Sequence, residues 1–317
     1  MIEPSQQLVT VFGGGGFIGR YVCEALFKRG VRVRIAQRDP RKAYIIQPLA
    51  PIGHFGFAKV DLTNAASVRA AVKGASAVVN LTGVFGRKMH AVHVTGARNV
   101  AEAARAEGAA ALVHVSAIGA DTGSPSHYGR TKAEGEAAVR KAFPDAAIVR
   151  PSLVFGPEDN LTNRFASMAR LPALPVIAAD RNFQPVYVRD LARAIAMAAL
   201  DPRRFGGRVY EIGGPQAMSM VELHRAILAI TGQQPEIVPL PDFVADALSR
   251  LGFLPGAPLT RDQWLMLQRD NVASEGSKGL EAFGIEPTPF AAVAPEWLGM
   301  YGGNRFARRR VNLTANT

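Results

Sequence analysis

Cysteine is almost missing from this 317-residue chain: Cys23 stands alone. A single thiol makes no internal disulfide, which suits a reducing compartment. No apolar run approaches the roughly 20 residues that span a bilayer. The opening "MIEPSQQ" passes straight into a strand pattern, with no basic stretch ahead of an apolar one, so no secretory leader is expected. Internal repeats and low-complexity stretches are absent too, which excludes solenoids and fibrous chains. Acid is short relative to base. Against 26 acids stand 29 arginines and 8 lysines, a net charge of +11. An arginine-rich surface favours phosphates, acidic proteins or anionic headgroups, although a compositional bias produces the same surplus. No DNA-binding motif accompanies it, so nucleic acid is not an expected partner. The basic cluster Arg305, Arg308, Arg309 and Arg310 near the end of the chain reads either as a tail for an anionic partner or as a solvated end.

What is present is a rhythm. "QLVTVFG" is an apolar strand, and "FIGRYVCEALFKRG" follows with helical spacing until Gly30. "VRVRIAQ" alternates as a second strand and "HFGFAKV" makes a third. A helix from Asn64 to Gly74, the strand "ASAVVNLTG", a long helix over about 88–107 and the strand "AALVHVSAIG" come next. A helix over "SHYGRTKAEGEAAVRKAF" and the strand "DAAIVRPSLVFG" complete the series. Such alternation implies an α/β fold, a doubly wound parallel sheet of Rossmann type. Beyond Gly156 prolines multiply and the rhythm loosens. The expected division is a dinucleotide-binding domain over 1–151 and a smaller mixed substrate or partner lobe over 152–317, whose segments are free to interleave with the first.

The stretch "LVTVFGGGGFIGR" lies between a strand and a helix, the context in which a glycine loop cradles a pyrophosphate. Gly14, Gly16 and Gly19 spell G-x-G-x-x-G; Gly13, Gly16 and Gly19 spell G-x-x-G-x-x-G. A carboxylate at the end of the second strand would accept the adenosine ribose hydroxyls. Eighteen residues past Gly19 stands Gln37, followed by Arg38. A guanidinium there suits a 2′-phosphate, favouring NADP(H) over NAD(H), with Arg41 and Lys42 in support; Asp39 serving the ribose is the competing reading. Asp61, after the third strand, is placed either to meet the adenine or to cap the next helix beside Asn64.

Tyr128 and Lys132 are four apart and share a helix face, and Ser116 ends the preceding strand. A tyrosine whose pKa a neighbouring lysine lowers is an acid/base for a carbonyl or alcohol, and a serine hydroxyl can orient the reacting oxygen. With 6 tyrosines and 8 lysines, a chance pair at this spacing has a probability of ~0.15, so its place after the fifth strand gives it meaning. His90 and His93 are spaced to share a helix face, but no carboxylate or cysteine cluster joins them and no metal site is expected. In "PDFVADALSRLGFLPG", Phe243, Val244, Ala247, Leu248, Leu251, Phe253 and Leu254 form an apolar stripe, either core or a partner or membrane contact.

The glycine loop, Ser116 and Tyr128-x-x-x-Lys132 together resemble the short-chain dehydrogenase/reductase superfamily in its extended or atypical branches, which selects Gly13, Gly16 and Gly19. The segments "VVNLTG", "HVSAIGAD", "QPVYVRDLARAI", "LGFLPGAPLTRDQ" and "LEAFGIEPTPF" narrow the resemblance to the nucleotide-binding accessory subunits of respiratory complex I, over about residues 8–290. The resemblance implies a tightly held, mainly structural NADP(H) and a peripheral place near the membrane beside peripheral-arm subunits, with an anionic membrane surface as a further contact. The expected location is the cytoplasmic face of a bacterial inner membrane or the cytoplasm, or the matrix face for a processed mitochondrial chain. It also implies a cofactor site of Gly13, Gly16, Phe17, Ile18, Gly19, Arg38, Asp61, Leu62, Leu81, Thr82, Gly83, Tyr128, Lys132, Pro151 and Val154. Gly14 and Gly15 stand where relatives usually carry bulkier residues, which should loosen the loop. The retained Ser116, Tyr128 and Lys132 keep open an active NADP-dependent short-chain reductase or sugar-nucleotide epimerase/dehydratase. A sensor of the NADP(H) ratio is a third reading.

Overall fold

The computed structural model describes residues 7–252 and 259–302. The arginines of the C-terminal cluster, and Phe253 and Leu254 of the apolar stripe, lie outside the described residues.

Seven parallel strands form the central sheet: β1 (Leu8–Phe12), β2 (Arg32–Gln37), β3 (Phe55–Lys59), β4 (Ala77–Asn80), β5 (Ala111–Val115), β6 (Ala147–Pro151) and β11 (Val209–Ile212). Their order across the sheet is β11-β6-β5-β4-β1-β2-β3. Alternate side chains feed opposite faces, as strand geometry requires. Val9, Val11, Val79, Val113 and Val149 join one buried cluster, with Val22 and Leu26 of α1 (Phe17–Phe27) and Leu191 and Ile195 of α6 (Val188–Leu200). Phe12, Val78, Leu112 and Ile148 join the other. There they meet α2 (Ala65–Val72), α3 (Ala97–Ala106) and α4 (His127–Ala142). With helices on both faces the central strands are mostly apolar, which is why they read as near-continuous runs.

The helix expected over 88–107 contains a π-helical stretch, Ala91–Gly96, ahead of α3. Asn64 caps α2 by accepting from the Ser67 N–H, and Gly74 ends that turn with a positive φ. The later chain crosses back into the sheet through β11, which pairs with β6. It also adds three two-stranded sheets: β7 (Val154–Phe155) with β10 (Val186–Tyr187), β9 (Asn182–Phe183) with β12 (Met218–Ser219), and β8 (Ala173–Val176) with β13 (Glu236–Pro239). Around them lie α5 (Asn160–Met168), α7 (Pro202–Phe205), α8 (Met220–Thr231), α9 (Asp242–Arg250) and α10 (Arg261–Leu267). The apolar stripe on α9 faces outward: Phe243, Ala247 and Leu251 are exposed and Val244 and Leu248 half-buried, while the helix buries Ala245 and Ser249.

Candidate dinucleotide site

Gly13 leaves β1 with φ +80°, a conformation costly for any side chain. Its N–H donates to Ala36 O at 3.1 Å and its carbonyl accepts from the Gly16 N–H at 3.0 Å, closing the turn. Gly16 caps α1 without a side chain, so no side-chain acceptor occupies the first-turn N–H groups at Phe17, Ile18 and Gly19. A helix start of this kind attracts an anion. Gly19 is where helix and loop touch: a Cβ there would lie 2.5 Å from Gly14 O and nearer still to Gly13 O.

The loosening expected of Gly14 and Gly15 gives way to close packing. A Cβ on Gly14 would meet Ile35 at 3.0 Å and Cys23 Sγ at 3.3 Å. One on Gly15 would meet Gln37 Oε1 at 2.5 Å. Gln37 braces the loop, accepting from the Gly15 N–H at 3.0 Å and donating to Asp39 O at 2.6 Å. Arg38 follows β2 and is exposed. Asp39 is occupied by Arg41, whose N–H and Nε donate to its Oδ1 at 3.2 and 3.0 Å. Asp61 turns back on Thr63, accepting from its N–H at 2.9 Å and its hydroxyl at 2.8 Å, while Asn64 caps the helix. Those two bonds hold the Asp61 carboxyl below its ordinary range, and the charges of Arg38 and Lys88 add to them. The structure thus brings Arg38 and Asp61 to one neighbourhood. Leu62 is half-buried, and its carbonyl accepts from Asn99 at 2.8 Å.

At the end of β4, the Leu81 N–H donates to Phe12 O at 3.0 Å. Thr82 donates to Asn80 Oδ1 through both its N–H (3.1 Å) and its hydroxyl (2.5 Å). Thr82 also lies against Gly13, and Gly83 sits beside the Lys132 ammonium. Lys132 is buried and donates to Val115 O at 3.0 Å. Burial lowers it to about 8. Ser116 is buried one residue on, and its Oγ has no partner among the described residues. The Tyr128 ring stacks on Phe85 (centroids 4.9 Å, 19°) and lies 5.8 Å from Lys132 Nζ. Burial pushes its hydroxyl up to about 12. The lysine was expected to lower that value; in this arrangement its charge is directed at a backbone carbonyl and burial prevails. Pro151 ends β6 and accepts from the Ile118 N–H at 3.1 Å, while Val154, half-buried, pairs with Val186.

Several residues that hold this site carry no local motif. The His93 ring stands edge-on to Tyr128 (5.4 Å, 88°). His93 Nε2 accepts from the Val84 N–H at 3.0 Å, so Nδ1 carries the proton and donates to Thr131 Oγ1 at 2.9 Å. Burial, with Lys132 adding, pushes His93 down to about 3, so it is neutral. The π-helical stretch turns it inward while His90 stays exposed near Glu134, so the two histidines do not converge. Arg150 grips Glu136 with two bonds of 2.8 Å and Glu211 at 3.2 Å, tying α4 to β6 and β11. Asp262 of α10 accepts from the backbone N–H groups of His127 (2.6 Å) and Tyr128 (3.1 Å), capping the turn that carries the tyrosine.

The uncapped start of α1, the close approach at Gly19 and the orphaned Ser116 hydroxyl fit a dinucleotide: pyrophosphate on the glycine loop and a polar reacting group toward Ser116 and Tyr128. The model of the NAD dependent epimerase/dehydratase family matches residues 9–213. The chain is similar to NADH dehydrogenase (ubiquinone) 1 alpha subcomplex subunit 9 of Rattus norvegicus mitochondria, 32% identical over 97% of this chain and 84% of that protein. Among solved structures it is similar to an NADPH-dependent quinone oxidoreductase of Escherichia coli complexed with NADPH (TM-score 0.73, 19% identity, 91% of this chain and 98% of that one). The UDP-glucose 4-epimerase of Thermus thermophilus in complex with NAD gives a TM-score of 0.69 at 21% identity, over 94% and 99% of the two chains. At such identities the likeness is one of fold, and that fold holds either nucleotide. This chain belongs to the NAD dependent epimerase/dehydratase family and, within it, to the family of NADH dehydrogenase (ubiquinone) 1 alpha subcomplex subunit 9.

Proposed function

We propose that this protein is an accessory subunit of respiratory complex I that holds NADP(H) mainly as a structural element. The observation that carries this reading is the whole-length relationship to subunit 9: it spans the C-terminal lobe as well as the nucleotide fold. Gly13, Gly16 and Gly19, with the first-turn N–H groups of Phe17 and Ile18, hold the pyrophosphate. Arg38 takes the 2′-phosphate. Two observations support that choice: Arg38 has no acid bonded to it among the described residues, and Asp39, the competing ribose acceptor, is engaged by Arg41. Asp61 and Leu62 flank the adenine; Leu81, Thr82 and Gly83 line the far side of the loop; Pro151 and Val154 border the nicotinamide. The partners are peripheral-arm subunits. No helix among the described residues is long and apolar enough to cross a membrane, and this reading places the chain peripherally, on the cytoplasmic or matrix face.

A structural nucleotide agrees with the state of the tyrosine. Its hydroxyl is raised, its ring is covered by Phe85, and the Lys132 ammonium is spent on Val115 O. The second reading, an active reductase or epimerase/dehydratase, is favoured by one observation: a buried Ser116 hydroxyl with no partner, available to a substrate oxygen. In that case the nucleotide supplies or accepts a hydride. Ser116 orients the reacting oxygen, Tyr128 exchanges its proton, and Lys132 shifts from Val115 O toward the tyrosine.

Affinity purification from native membranes tests the first reading. The chain is expected to co-migrate with complex I subunits and to release NADP(H), one per chain, on denaturation. A chain that never co-migrates overturns the docking, and release of NAD(H) alone overturns the role of Arg38. Tyr128→Phe separates the readings: retained NADPH and retained assembly support a structural site, and loss of a measured turnover supports the enzyme.

A further inference from the structure

A dinucleotide pyrophosphate carries two negative charges, while the glycine loop and the first turn of α1 offer it backbone N–H donors worth about half a positive charge. From Leu8 to Phe27 the only cation is Arg20, the residue after Gly19. It stands one turn, roughly 5 Å, into α1 from Phe17. Helix side chains lean back over the turn that precedes them, so an arginine at this position reaches toward the first-turn N–H groups. Arg20 Nη1 meets Glu158 Oε1 at 3.1 Å. Its Nε is buried and has no partner among the described residues. Buried donors are seldom left so, and a phosphate oxygen is a strong acceptor for a guanidinium.

Glu158 belongs to the stretch after β7, which runs along the same side of α1. A Cβ on Gly156 would lie 3.2 Å from the Phe17 ring, and Glu158 Oε2 accepts from the Tyr21 hydroxyl at 2.6 Å. These contacts are to α1; the glycine turn closes through its own backbone bonds. Burial first, and Glu158 second, raise the Tyr21 hydroxyl above its ordinary range, so it stays a donor. Glu158 therefore keeps a partner when Arg20 leaves it. The side chains of the Arg20–Glu158 pair are 23% and 41% exposed, and an ion pair so open to solvent contributes little and gives way at small cost. We infer that Arg20 is a further ligand of the pyrophosphate, held on Glu158 in the absence of nucleotide and turning to the phosphate oxygens in its presence. Glu158 is then a competitor for Arg20, and Tyr21 keeps that carboxylate in place during the exchange. The inference rests on the dinucleotide reading of the site and is independent of docking to complex I.

The test is calorimetric titration of the full chain with NADPH and with NADH. Loss of a charge-assisted bond to phosphate predicts that Arg20→Gln weakens both nucleotides alike, by about tenfold or more. Arg38→Gln is expected to weaken NADPH alone, since only that nucleotide carries the 2′-phosphate. Arg20→Lys keeps the charge and should recover part of the loss. Glu158→Gln leaves Tyr21 an acceptor but frees Arg20, so it should tighten both nucleotides. NADH binding should weaken as salt rises from about 0.05 to about 0.5 M, and less steeply in Arg20→Gln. Arg20→Gln and Glu158→Gln break the same ion pair, so a purely structural pair would move affinity in one direction in both variants, whereas exchange moves it in opposite directions. Wild-type affinity in Arg20→Gln overturns the inference, and so does a Glu158→Gln variant weakened as Arg20→Gln is. A wild-type chain that binds neither nucleotide overturns the dinucleotide reading itself and this inference with it.

Discussion

The glycine loop and the tyrosine pocket are built over different distances in sequence. At the loop, Gly13 bonds Ala36, Gly15 bonds Gln37 and Gly19 nests against Gly14, so the bonds that close the turn come from β1, α1 and the next strand, with Thr82 packed against Gly13 from the end of β4. Around Tyr128 the neighbours are Phe85, His93, Lys132 and Asp262, the last 134 residues away. The first site is a property of one βαβ unit. The second gathers three neighbours from the first 151 residues and a fourth, Asp262, from the C-terminal lobe. A perturbation of that lobe should therefore reach the tyrosine and leave the phosphate cradle intact.

The largest effect is expected at the loop. Gly19→Val drives a branched side chain into the Gly13 and Gly14 carbonyls, so NADPH affinity should fall by about a hundredfold or more by calorimetry, as expected where close backbone approach is required. Unchanged affinity would mean that this loop is not the cradle.

Lys132 comes next, and its effect depends on pH. Its folded value near 8 lies below the unfolded value of about 10.4. Between those values the unfolded chain binds the extra proton, so stability should rise with pH. Denaturation at intervals from pH 7.5 to 10.5 should show that rise in the wild type and a flatter profile in Lys132→Met. Parallel profiles would remove the buried ammonium from the account.

Asp262→Ala tests the long-range half of the comparison directly. Losing a charged acceptor from two helix N–H groups should cost about 1–2 kcal/mol. Amide exchange should speed up at His127 and Tyr128 while the amides of Gly13 and Gly16 keep their protection. Equal loss at both places would show that the two ends of the site are not separable. The smallest effect belongs to Gln37→Ala, which removes one side-chain bond to the Gly15 N–H and should cost about 0.5–1.5 kcal/mol, with faster exchange confined to the loop.

Motif and position were enough to pick out Gly13, Gly16, Gly19, Ser116, Tyr128 and Lys132 as candidates, and the structure sets Ser116 and Lys132 side by side around Val115. Gln37 was legible only as a missing carboxylate. Its role as a brace depends on the space over Gly15, which no count along the chain reveals. His93 was read as sharing a face with His90, and the π-helical stretch breaks the 3.6-residue spacing behind that reading. Asp262 lies in a segment that carried the family resemblance but gave no sign of this role, because a side-chain cap from a distant helix leaves no periodicity in either segment.

By itself the sequence determined the alternation of strands and helices, the glycine turn and the facing of Tyr128 with Lys132, because backbone periodicity and glycine's steric freedom act between near neighbours. Only the tertiary structure decided that the lysine serves a carbonyl and that the tyrosine lies raised beneath Phe85. It alone decided that α9 and the β2–β3 connection present their apolar side chains to the outside. Burial and the direction of a charge are set by what packs from elsewhere in the chain, and that is settled when distant segments meet.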